Sequence, residues 1–326
     1  MRDSAAGQRR MSKAGAFVVV LLLIGAGLLG YAGYQYYVSS KAKPTLTVQS
    51  GDSVYLNYTG QYSNGQIFDT SMFSVARNNA TFPKGPGFTW RGNSSAYTPL
   101  QISNVGTGQV IAGMDTGILG MHANQTRFLV IPFSQGYGPL NLSLLNYTHI
   151  FQNLTMMHTV NSTQFSAVSG QQPYQGMTFK DPFWHWNDTI MSVQNGIIVY
   201  QYAPVTGMVV YPYSLNSSTT PGYSGWPVTV TGINSSANGG QGQVTVRNDV
   251  TQQMVRSAGG QNQSGSKFVL WGINSNGTMT LNFNRPVTGR TLEFTVTITY
   301  ISNPATGKTA GIAGYTVYAP VSQREL

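Results

Sequence analysis

The chain has 326 residues, enough for two or more domains, and 41% of them are hydrophobic, which is enough to build cores. Only 8% are charged and cysteine is absent, so disulfides, thiolate catalysis and cysteine-ligated metal sites are excluded. The net charge of +9 is concentrated in residues 1–43, which carry six basic groups against Asp3 alone, whereas the other 283 residues carry 12 basic and 8 acidic groups. Since that remainder has no basic stripe with interleaved aromatic residues, nucleic-acid binding is not expected.

The N-terminal segment predicts a membrane anchor. Ala14–Gly33 is almost entirely apolar and is long enough to cross a hydrocarbon core of ~30 Å. Arg9, Arg10 and Lys13 precede it, which favours a cytoplasmic N-terminus. Small residues near Gly30–Ala32 leave a cleaved signal peptide as the alternative. In both interpretations the bulk of the chain lies outside the cytoplasm.

Two features of the composition fit an exterior location. Asn-x-Ser/Thr triplets are frequent, as at Asn57 and Asn93, although an Asn- and Ser-rich chain also produces them by chance. Asp and Glu are scarce, and a surface built on neutral amides and hydroxyls changes little with pH. The composition therefore suggests tolerance of an acidic exterior.

The first predicted elements are strands. Thr45–Val48 and Ser53–Tyr58 are strand-like runs, and Val54–Thr70 contains two such runs joined across Asn64-Gly65, a dipeptide typical of tight hairpins. The connection Ser71–Pro99 is predicted to be an extended surface loop.

A short helix is predicted next. Val110, Met114 and Ile118 recur at helical spacing and share one face. Arg127–Pro132 predicts a strand, and far downstream Leu292–Ile298 alternates as a half-buried strand does.

These pieces carry a set of motifs in a fixed order. The motifs are Gly51-Asp52, Asn57-Tyr58-Thr59-Gly60, Gly65, Phe68-Asp69, Gln109-Val110-Ile111-x-Gly113, Gly117, Gly120-Met121, Ile131-Pro132 and Tyr137-Gly138. Together they resemble the FKBP-type peptidyl-prolyl isomerases, over about a third of the chain. The resemblance implies an α+β fold, with an antiparallel sheet wrapped on a short helix, and catalysis of proline isomerisation without a cofactor.

The resemblance also implies a pocket. Its residues would be Tyr58, Phe68, Asp69, Val110, Ile111, Met114, Tyr137 and Phe294. The Ile111 N–H would hold a substrate carbonyl, the Tyr137 hydroxyl would donate a second hydrogen bond, and Asp69 would orient polar groups at the rim. Met114 stands where many members of the family have Trp. The alternative is that the apolar members are ordinary core residues and that Tyr58 merely caps a strand.

A long insertion separates Gly138 from the last strand. Asn161–Phe179 and Gly277–Val296 resemble the opening and the return of the insert-in-flap domain of SlyD-like members of the family. Between them the signals are all β. Hairpins are predicted around Asn195-Gly196, Asn238-Gly239-Gly240 and Asn276-Gly277, and Ser257–Ser266 is predicted to be a flexible link.

Two apolar groups in the insertion have two interpretations. Met156-Met157 and Trp184–Trp186 could form an exposed surface for unfolded chains, or they could belong to an ordinary core. The four histidines lack a metal-ligand spacing, so no metal is expected.

The predicted organisation has four parts. They are a cytoplasmic tail and transmembrane anchor (1–43), a discontinuous isomerase domain (44–139 and 277–303), an inserted all-β domain (140–276) and a C-terminal tail (304–326). The predicted function is a membrane-anchored, extracytoplasmic isomerase that acts on proline-containing unfolded or nascent polypeptides. The alternative is a non-catalytic surface chaperone or adhesion module that keeps the same frame.

Overall fold

The computed structural model of the protein describes residues 29–32, 45–215 and 222–312. The predicted anchor lies outside these residues except for Leu29–Ala32, which are helical, and no helix in the described ranges is long and apolar enough to cross a membrane. The chain divides into two units, residues 1–46 and 47–326, and every element below belongs to the second.

Most of the regular structure is β. The strands are β1 Ser53–Tyr62, β2 Ile67–Thr70, β3 Leu100–Ile102, β4 Thr126–Ile131, β5 Leu145–His149, β6 Phe151–Thr155, β7 Met157–Asn161, β8 Thr178–Lys180, β9 Asn187–Gln194, β10 Ile197–Tyr202, β11 Val209–Val210, β12 Val228–Asn234, β13 Gln243–Asn248, β14 Gly259–Gln261, β15 Lys267–Ile273, β16 Thr278–Asn282, β17 Leu292–Asn303 and β18 Lys308–Gly311. The helices are Phe73–Arg77, Ala112–Gly117, Ser162–Ser169 and the short turn Ala237–Gly240, with 3-10 turns at Ser94–Ala96, Phe133–Gln135, Leu142–Leu144 and Gln252–Met254.

The first domain is a six-stranded antiparallel sheet in the order β18-β17-β1-β2, with β3 paired to β1 and β4 paired to β17. We call it the six-stranded domain. The predicted hairpin at Asn64-Gly65 is confirmed, and Gly65 has a φ of 81°. The Ala112–Gly117 helix packs on β4 through glycines, since an added Cβ on Gly113 would lie 2.4 Å from Ile131. The sheet and its short helix form the α+β arrangement that the resemblance implies.

The connection after β2 differs from the predicted surface loop. It contains the Phe73–Arg77 helix and a small core of its own, in which Val75, Phe88 and Tyr97 are buried. The ammonium of Lys84, itself buried, donates hydrogen bonds to the carbonyls of Val75, Asn78 and Phe82. These bonds neutralise the end of the helix and fix the connection beside β2.

The insertion between β4 and β17 contains three antiparallel sheets that are nested within one another. β5, β6 and β7 follow consecutively, and each begins a different sheet. The inner module (β7-β10-β9-β8) is completed first, then the middle module (β6-β13-β12-β11), then the outer module (β5-β16-β15-β14). Each module therefore interrupts the one that encloses it, and the outer module interrupts the six-stranded domain.

The three modules share one plan. Each has a central hairpin, and the predicted hairpins at Asn195-Gly196, Asn238-Gly239-Gly240 and Asn276-Gly277 are confirmed. Each hairpin has a bulge, at Val199/Tyr200, Val230/Gly232 and Leu270/Gly272. Two tetrapeptides recur at equivalent places: Gly-Ile-Asn-Ser starts at Gly232 and Gly272, and Pro-Val-Thr-Gly starts at Pro204 and Pro286.

The cores of the insertion lie between these sheets. The middle and outer modules pack face to face, with Val230 and Val246 from one and Leu270 and Met279 from the other. The inner module has a separate core, closed by Phe165 of the Ser162–Ser169 helix. Met156, Trp184 and Trp186 are 6%, 5% and 1% exposed. They therefore belong to an ordinary core, and their interpretation as an exposed surface was wrong.

Three expectations about the insertion differ from the structure. It is not all β, because Ser162–Ser169 forms an eight-residue helix that ends at Gly170 in the left-handed region. It extends beyond residue 276, since β16 pairs with β15 and β5 rather than with the six-stranded domain. The stretch 257–266 contains β14 and is not a free link. Lys308–Gly311, within the predicted C-terminal tail, is an edge strand beside β17, and the residues after 312 lie outside the described ranges.

Candidate active site

Three aromatic rings form the wall of the candidate pocket. The rings of Phe68 and Phe294 meet edge to face, with centroids 5.5 Å apart and planes at 84°. The Tyr58 ring lies 6.3 Å from Phe294. All three side chains are buried, with exposures of 6% or less. β1, β2 and β17 thus contribute one ring each to a single apolar wall.

Gly60 makes this arrangement possible. It is paired with Asp69 of β2 on one side and with Phe294 of β17 on the other. A Cβ at this position would lie 2.6 Å from Phe68 and 2.9 Å from Phe294. Both rings therefore occupy the space that a side chain on the central strand would fill.

A polar group lies next to the aromatic wall. The Tyr58 hydroxyl donates to Asp69 Oδ2 at 2.6 Å, and Arg91 Nη2 donates to Asp69 Oδ1 at 2.5 Å. The Thr70 N–H also donates to Oδ1, at 2.8 Å. Burial raises the pKa of the Asp69 carboxyl, and Arg91 and the other donors oppose that rise. Burial and the adjacent Asp69 also raise the pKa of Tyr58 above its usual range, so its hydroxyl keeps its proton and remains a donor.

The start of the Ala112–Gly117 helix supplies the predicted hydrogen-bond donor. The Ile111 carbonyl accepts from Met114 N at 2.9 Å and from Asp115 N at 3.1 Å, which starts the helix. No hydrogen bond within the described ranges occupies the Ile111 N–H. The buried Asp115 carboxylate accepts from Gly106 N and Gly108 N, which holds the preceding loop in place.

The helix lies beside the aromatic wall. An added Cβ on Gly117 would lie 2.8 Å from Leu129, and the pairing partner of Leu129 in β17 is Phe294. Met114 is buried, whereas Val110 and Ile111 are half-buried just before the helix. The end of the helix is thus held at the level of Phe294, and its start packs through Gly113 on Ile131, whose partner in β17 is Leu292.

Tyr137 lies where the insertion leaves the six-stranded domain. Its ring is half-buried, and its hydroxyl has no hydrogen-bond partner among the described residues. Burial raises the pKa of Tyr137, and Asp69 adds to the rise while Arg285 opposes it. The Arg285 guanidinium lies over the Tyr137 ring, 5.3 Å from its centroid.

A pair of asparagine contacts holds Arg285 beside Tyr137. The Asn141 N–H donates to Asn284 Oδ1 at 2.9 Å, and Asn284 Nδ2 donates back to the Asn141 carbonyl at 3.0 Å. Five residues after Asn284, the Gly289 N–H donates to the Gly138 carbonyl at 2.9 Å. The entry and exit of the insertion are therefore joined at the rim of the pocket.

The structure brings the predicted residues together in two groups. Ring contacts and the Tyr58–Asp69 hydrogen bond join the first group, which consists of Tyr58, Phe68, Asp69 and Phe294. Asp69 also lies close enough to Tyr137 to raise the pKa of that hydroxyl. Val110, Ile111 and Met114 form the second group, at the helix start.

Sequence reasoning missed Gly60, Arg91 and Arg285 as residues of the site. Arg91 lies in the long connection after β2, where no spacing signals a role. Arg285 lies in the insertion, 148 positions after Tyr137, so nothing local connects the two. Gly60 belongs to a quoted motif, but its role depends on rings from two other strands.

Residues 45–161 match the family described as FKBP-type peptidyl-prolyl cis-trans isomerase. FK506-binding protein 2 of Dictyostelium discoideum is 32% identical over 124 residues, which are 37% of this chain and 76% of that protein. Peptidyl-prolyl cis-trans isomerase FKBP15-1 of Arabidopsis thaliana is 32% identical over 138 residues, 39% of this chain and 75% of the relative.

A mammalian relative is matched over a shorter length. Peptidyl-prolyl cis-trans isomerase FKBP2 of Mus musculus is 34% identical over 90 residues, which are 28% of this chain and 48% of that protein, so the chain spans about half of it. The matched range 45–161 includes β1 to β7 and the Ala112–Gly117 helix, and the strands from β8 onward lie outside it. The enzyme class predicted from the sequence is confirmed. The chain therefore belongs to the FKBP-type peptidyl-prolyl cis-trans isomerase family.

Proposed function

We propose that this protein is a membrane-anchored isomerase that accelerates the folding of extracytoplasmic polypeptides at their proline bonds. The apolar segment Ala14–Gly33, with basic residues before it, supports the anchor and the outward orientation of the rest. The substrates would be proline-containing unfolded or nascent chains. Neither a metal nor a cofactor takes part in this chemistry.

The reaction requires rotation about a partial double bond. The imide before proline resists rotation with a barrier of ~18–20 kcal/mol, because its planar form is stabilised by charge separation. An apolar wall of Tyr58, Phe68 and Phe294 disfavours that charge-separated form relative to the less polar twisted form. Each ~1.4 kcal/mol of such preference accelerates the step about tenfold.

The observation that carries the proposal is the combination of this wall with two donors that are free. The Ile111 N–H and the Tyr137 hydroxyl have no partner in the described part of the chain. Ile111 directly precedes the helix that packs on β4, and Tyr137 is close enough to Asp69 for that carboxyl to raise its pKa. The Ile111 N–H would hold a substrate carbonyl while Tyr137 bonds a second one. Asp69, held by Tyr58 and Arg91, would orient polar groups at the entrance.

The insertion would hold extended substrate beside the pocket. Several of its apolar side chains are exposed, and β5, β6 and β7 are each an edge strand of their sheet. Exposed edges and apolar residues are the features to which an unfolded chain can add. The exposed side chains include Tyr147, Phe151, Met191, Ile197 and Val209.

A refolding assay tests the catalytic part of the proposal. The protein should accelerate the refolding of a protein limited by a cis proline, and Asp69→Ala or Tyr137→Phe should reduce kcat/KM about tenfold, or ~1.4 kcal/mol. Tyr147→Phe is the matched control, since that tyrosine is exposed on β5. Equal activity in all four proteins would remove the assignment of the site.

A non-catalytic surface chaperone or adhesion module is the second candidate, and one observation favours it. Arg91, from the long connection after β2, binds Asp69 at the rim and lies over Tyr97. A connection placed there can restrict entry to the pocket. Suppression of aggregation without any acceleration of proline-limited refolding would establish this candidate instead.

The location has its own test. The full chain should sediment with membranes, and a protease added from outside should digest the part after residue 45. Recovery of the full chain in the soluble cytoplasmic fraction would contradict the proposed anchor.

A further inference from the structure

The junction between the six-stranded domain and the insertion contains a buried arginine without a counter-ion. Arg290 lies two residues before the start of β17 and is 7% exposed. Its guanidinium lies over the Tyr62 ring, 4.3 Å from the centroid, and over the Trp271 ring, 5.1 Å away. Tyr62 belongs to β1 and Trp271 to β15, so Arg290 lies between the two parts of the molecule.

The ring contacts leave one edge of this guanidinium unused. Nε and Nη2 of Arg290 are both buried and have no hydrogen-bond partner within the described ranges. An aromatic ring interacts with the face of a guanidinium, so it does not satisfy N–H groups that point outward in the plane. Nε and Nη2 form the side-on edge of the group, whose two parallel N–H bonds match the two oxygens of an oxyanion.

No carboxylate in the described part of the chain pairs with this charge. The two ion pairs found among the described residues are Arg91–Asp69 and Arg247–Asp249, and neither includes Arg290. The groups that act on Arg290 are Tyr62, Tyr223 and Arg256, and burial lowers the pKa of Arg290, with Arg256 lowering it further. A buried cation with unused donors destabilises the fold unless an anion pairs with it.

A second arginine approaches the same ring. The Arg256 guanidinium lies 4.5 Å from the Trp271 centroid, so both guanidinium carbons are within about 5 Å of one ring. Arg256 has a φ of 62°, a left-handed conformation that is unfavourable for a residue of this type, and its N–H donates to the Leu270 carbonyl at 2.6 Å. The backbone thus holds Arg256 on Trp271 at the cost of local strain.

We propose that Arg290 and Arg256 form a binding site for a small oxyanion at this junction. Nε and Nη2 of Arg290 have almost no accessible surface in this structure, so the side-on edge binds two oxygens of the anion only after the groups that cover it move apart. The exposed Arg256 adds the second positive charge. The chemistry fits sulfate, phosphate or a carboxylate, whether free in solution or carried by a peptide. Because Tyr62 also packs on Phe68, with centroids 5.1 Å apart, the anion lies behind the aromatic wall of the pocket.

Thermal unfolding in defined salts tests the site. Sodium sulfate or phosphate should raise the midpoint by several degrees and reach saturation, whereas sodium chloride at matched ionic strength should not. Saturable stabilisation by acetate or a glutamate-containing peptide, without a sulfate effect, would also support the site and assign its ligand as a carboxylate. The same shift in all the salts would overturn the proposal.

Variants separate the site from general charge effects. Arg290→Gln should abolish the anion-dependent shift, and Arg256→Gln, at an exposed residue that the fold tolerates more easily, should weaken the apparent affinity about tenfold. Lys308→Gln is the control, since it removes one exposed positive charge from β18. An anion response retained in Arg256→Gln and Arg290→Gln would contradict the site. Crystals soaked in selenate should show anomalous density at Nε and Nη2 of Arg290, and an adventitious ion elsewhere or water alone at that edge would refute it.

Discussion

Gly60 determines how closely Phe68 and Phe294 approach each other across β1. Gly60→Ala should displace both rings, because its Cβ would overlap them at 2.6 and 2.9 Å. Overpacking of this kind costs about 1–3 kcal/mol. Chemical denaturation should show that loss, together with reduced isomerase activity. Gly232→Ala is the matched control in a strand, since its nearest neighbour would be 3.9 Å away, and equal effects of the two changes would contradict the packing argument.

Arg285 gives the rim of the pocket a positive charge, because Asp69 is already paired with Arg91. A substrate with Glu next to the proline should therefore be isomerised faster than one with Lys at the same place. Arg285→Gln should reduce that preference about three- to tenfold, or roughly 0.7–1.4 kcal/mol, and added salt should have a similar effect. The measurement is kcat/KM for two peptides that differ in this residue, with Arg77→Gln as the control. An unchanged ratio would exclude this role of Arg285.

The residues of the site were predictable to different degrees. Those in dense local motifs, such as Phe68-Asp69 and Val110-Ile111, were identified because the motif itself contains them. Arg91 and Arg285 were not, since each reaches the pocket from a segment whose length the motif does not specify. A contact that depends on tertiary placement leaves no spacing in the sequence.

At the scale of elements, β9 places a carboxyl in the interior of the insertion. Asp188 is 0% exposed, and both of its oxygens lack a hydrogen-bond partner in the described ranges. Burial and then the neighbouring Asp181 raise the pKa of Asp188 to about 8. Tyr200 and Tyr202 also face this pair, and burial raises their pKa values as well. Asp188 is therefore protonated in the folded protein at neutral pH.

This raised pKa predicts a stability that falls with increasing pH. In the unfolded chain Asp188 ionises near pH 4, whereas in the folded protein it keeps its proton up to about pH 8. The free energy of unfolding should be highest below about pH 4, fall by up to ~1.4 kcal/mol per pH unit up to about 8, and then level off. Asp188→Asn should flatten this slope in denaturation curves, and Asp249→Asn, which removes a half-buried carboxylate paired with Arg247, should not. A slope that is identical in both variants would contradict the assignment.

The elements themselves were predicted where the signal is local. All four hairpins with an Asn-Gly turn were identified, because the turn dipeptide fixes the geometry. The Ser162–Ser169 helix was missed, since Phe165 is the single strongly buried apolar side chain among those that the structure describes in it. The glycines at 259 and 260 suggested flexibility, yet they permit close packing: an added Cβ would lie 2.7 Å from Tyr223 and 2.8 Å from Tyr213.

For the whole molecule, the division of labour between the domains can be tested by removal of the insertion. Gly138 and Gly289 are hydrogen-bonded at 2.9 Å, so a short glycine linker can replace residues 139–288 without a remnant of β16. Activity on a short peptide without charged residues should change little, because the Arg285 that is lost with the insertion acts on charged substrates. Acceleration of proline-limited protein refolding should fall about tenfold, or ~1.4 kcal/mol. Tyr137→Phe in the full chain is the control, because it should affect both substrates alike. Equal losses on both after the removal would refute the holding role.

The nested arrangement itself was beyond sequence reasoning. The strands β5, β6 and β7 are five residues each and separated by single residues, so they suggest one hairpin or meander rather than the start of three sheets. Their partners lie 36 to 137 positions further along the chain, as in the pairs Asn161↔Ile197 and Leu145↔Asn282. Nothing local records which partner each strand takes.

The ribosome synthesises this chain from its first residue to its last, so the nesting determines the order in which the sheets can be completed. The sheet opened last is closed first, when residue 202 has emerged, and the enclosing sheets follow at residues 248 and 282. The six-stranded domain is completed last, because β17, which pairs with β1 and carries Phe294, is synthesised after the insertion. Newly made protein therefore carries the three finished modules of the insertion before its isomerase domain is complete.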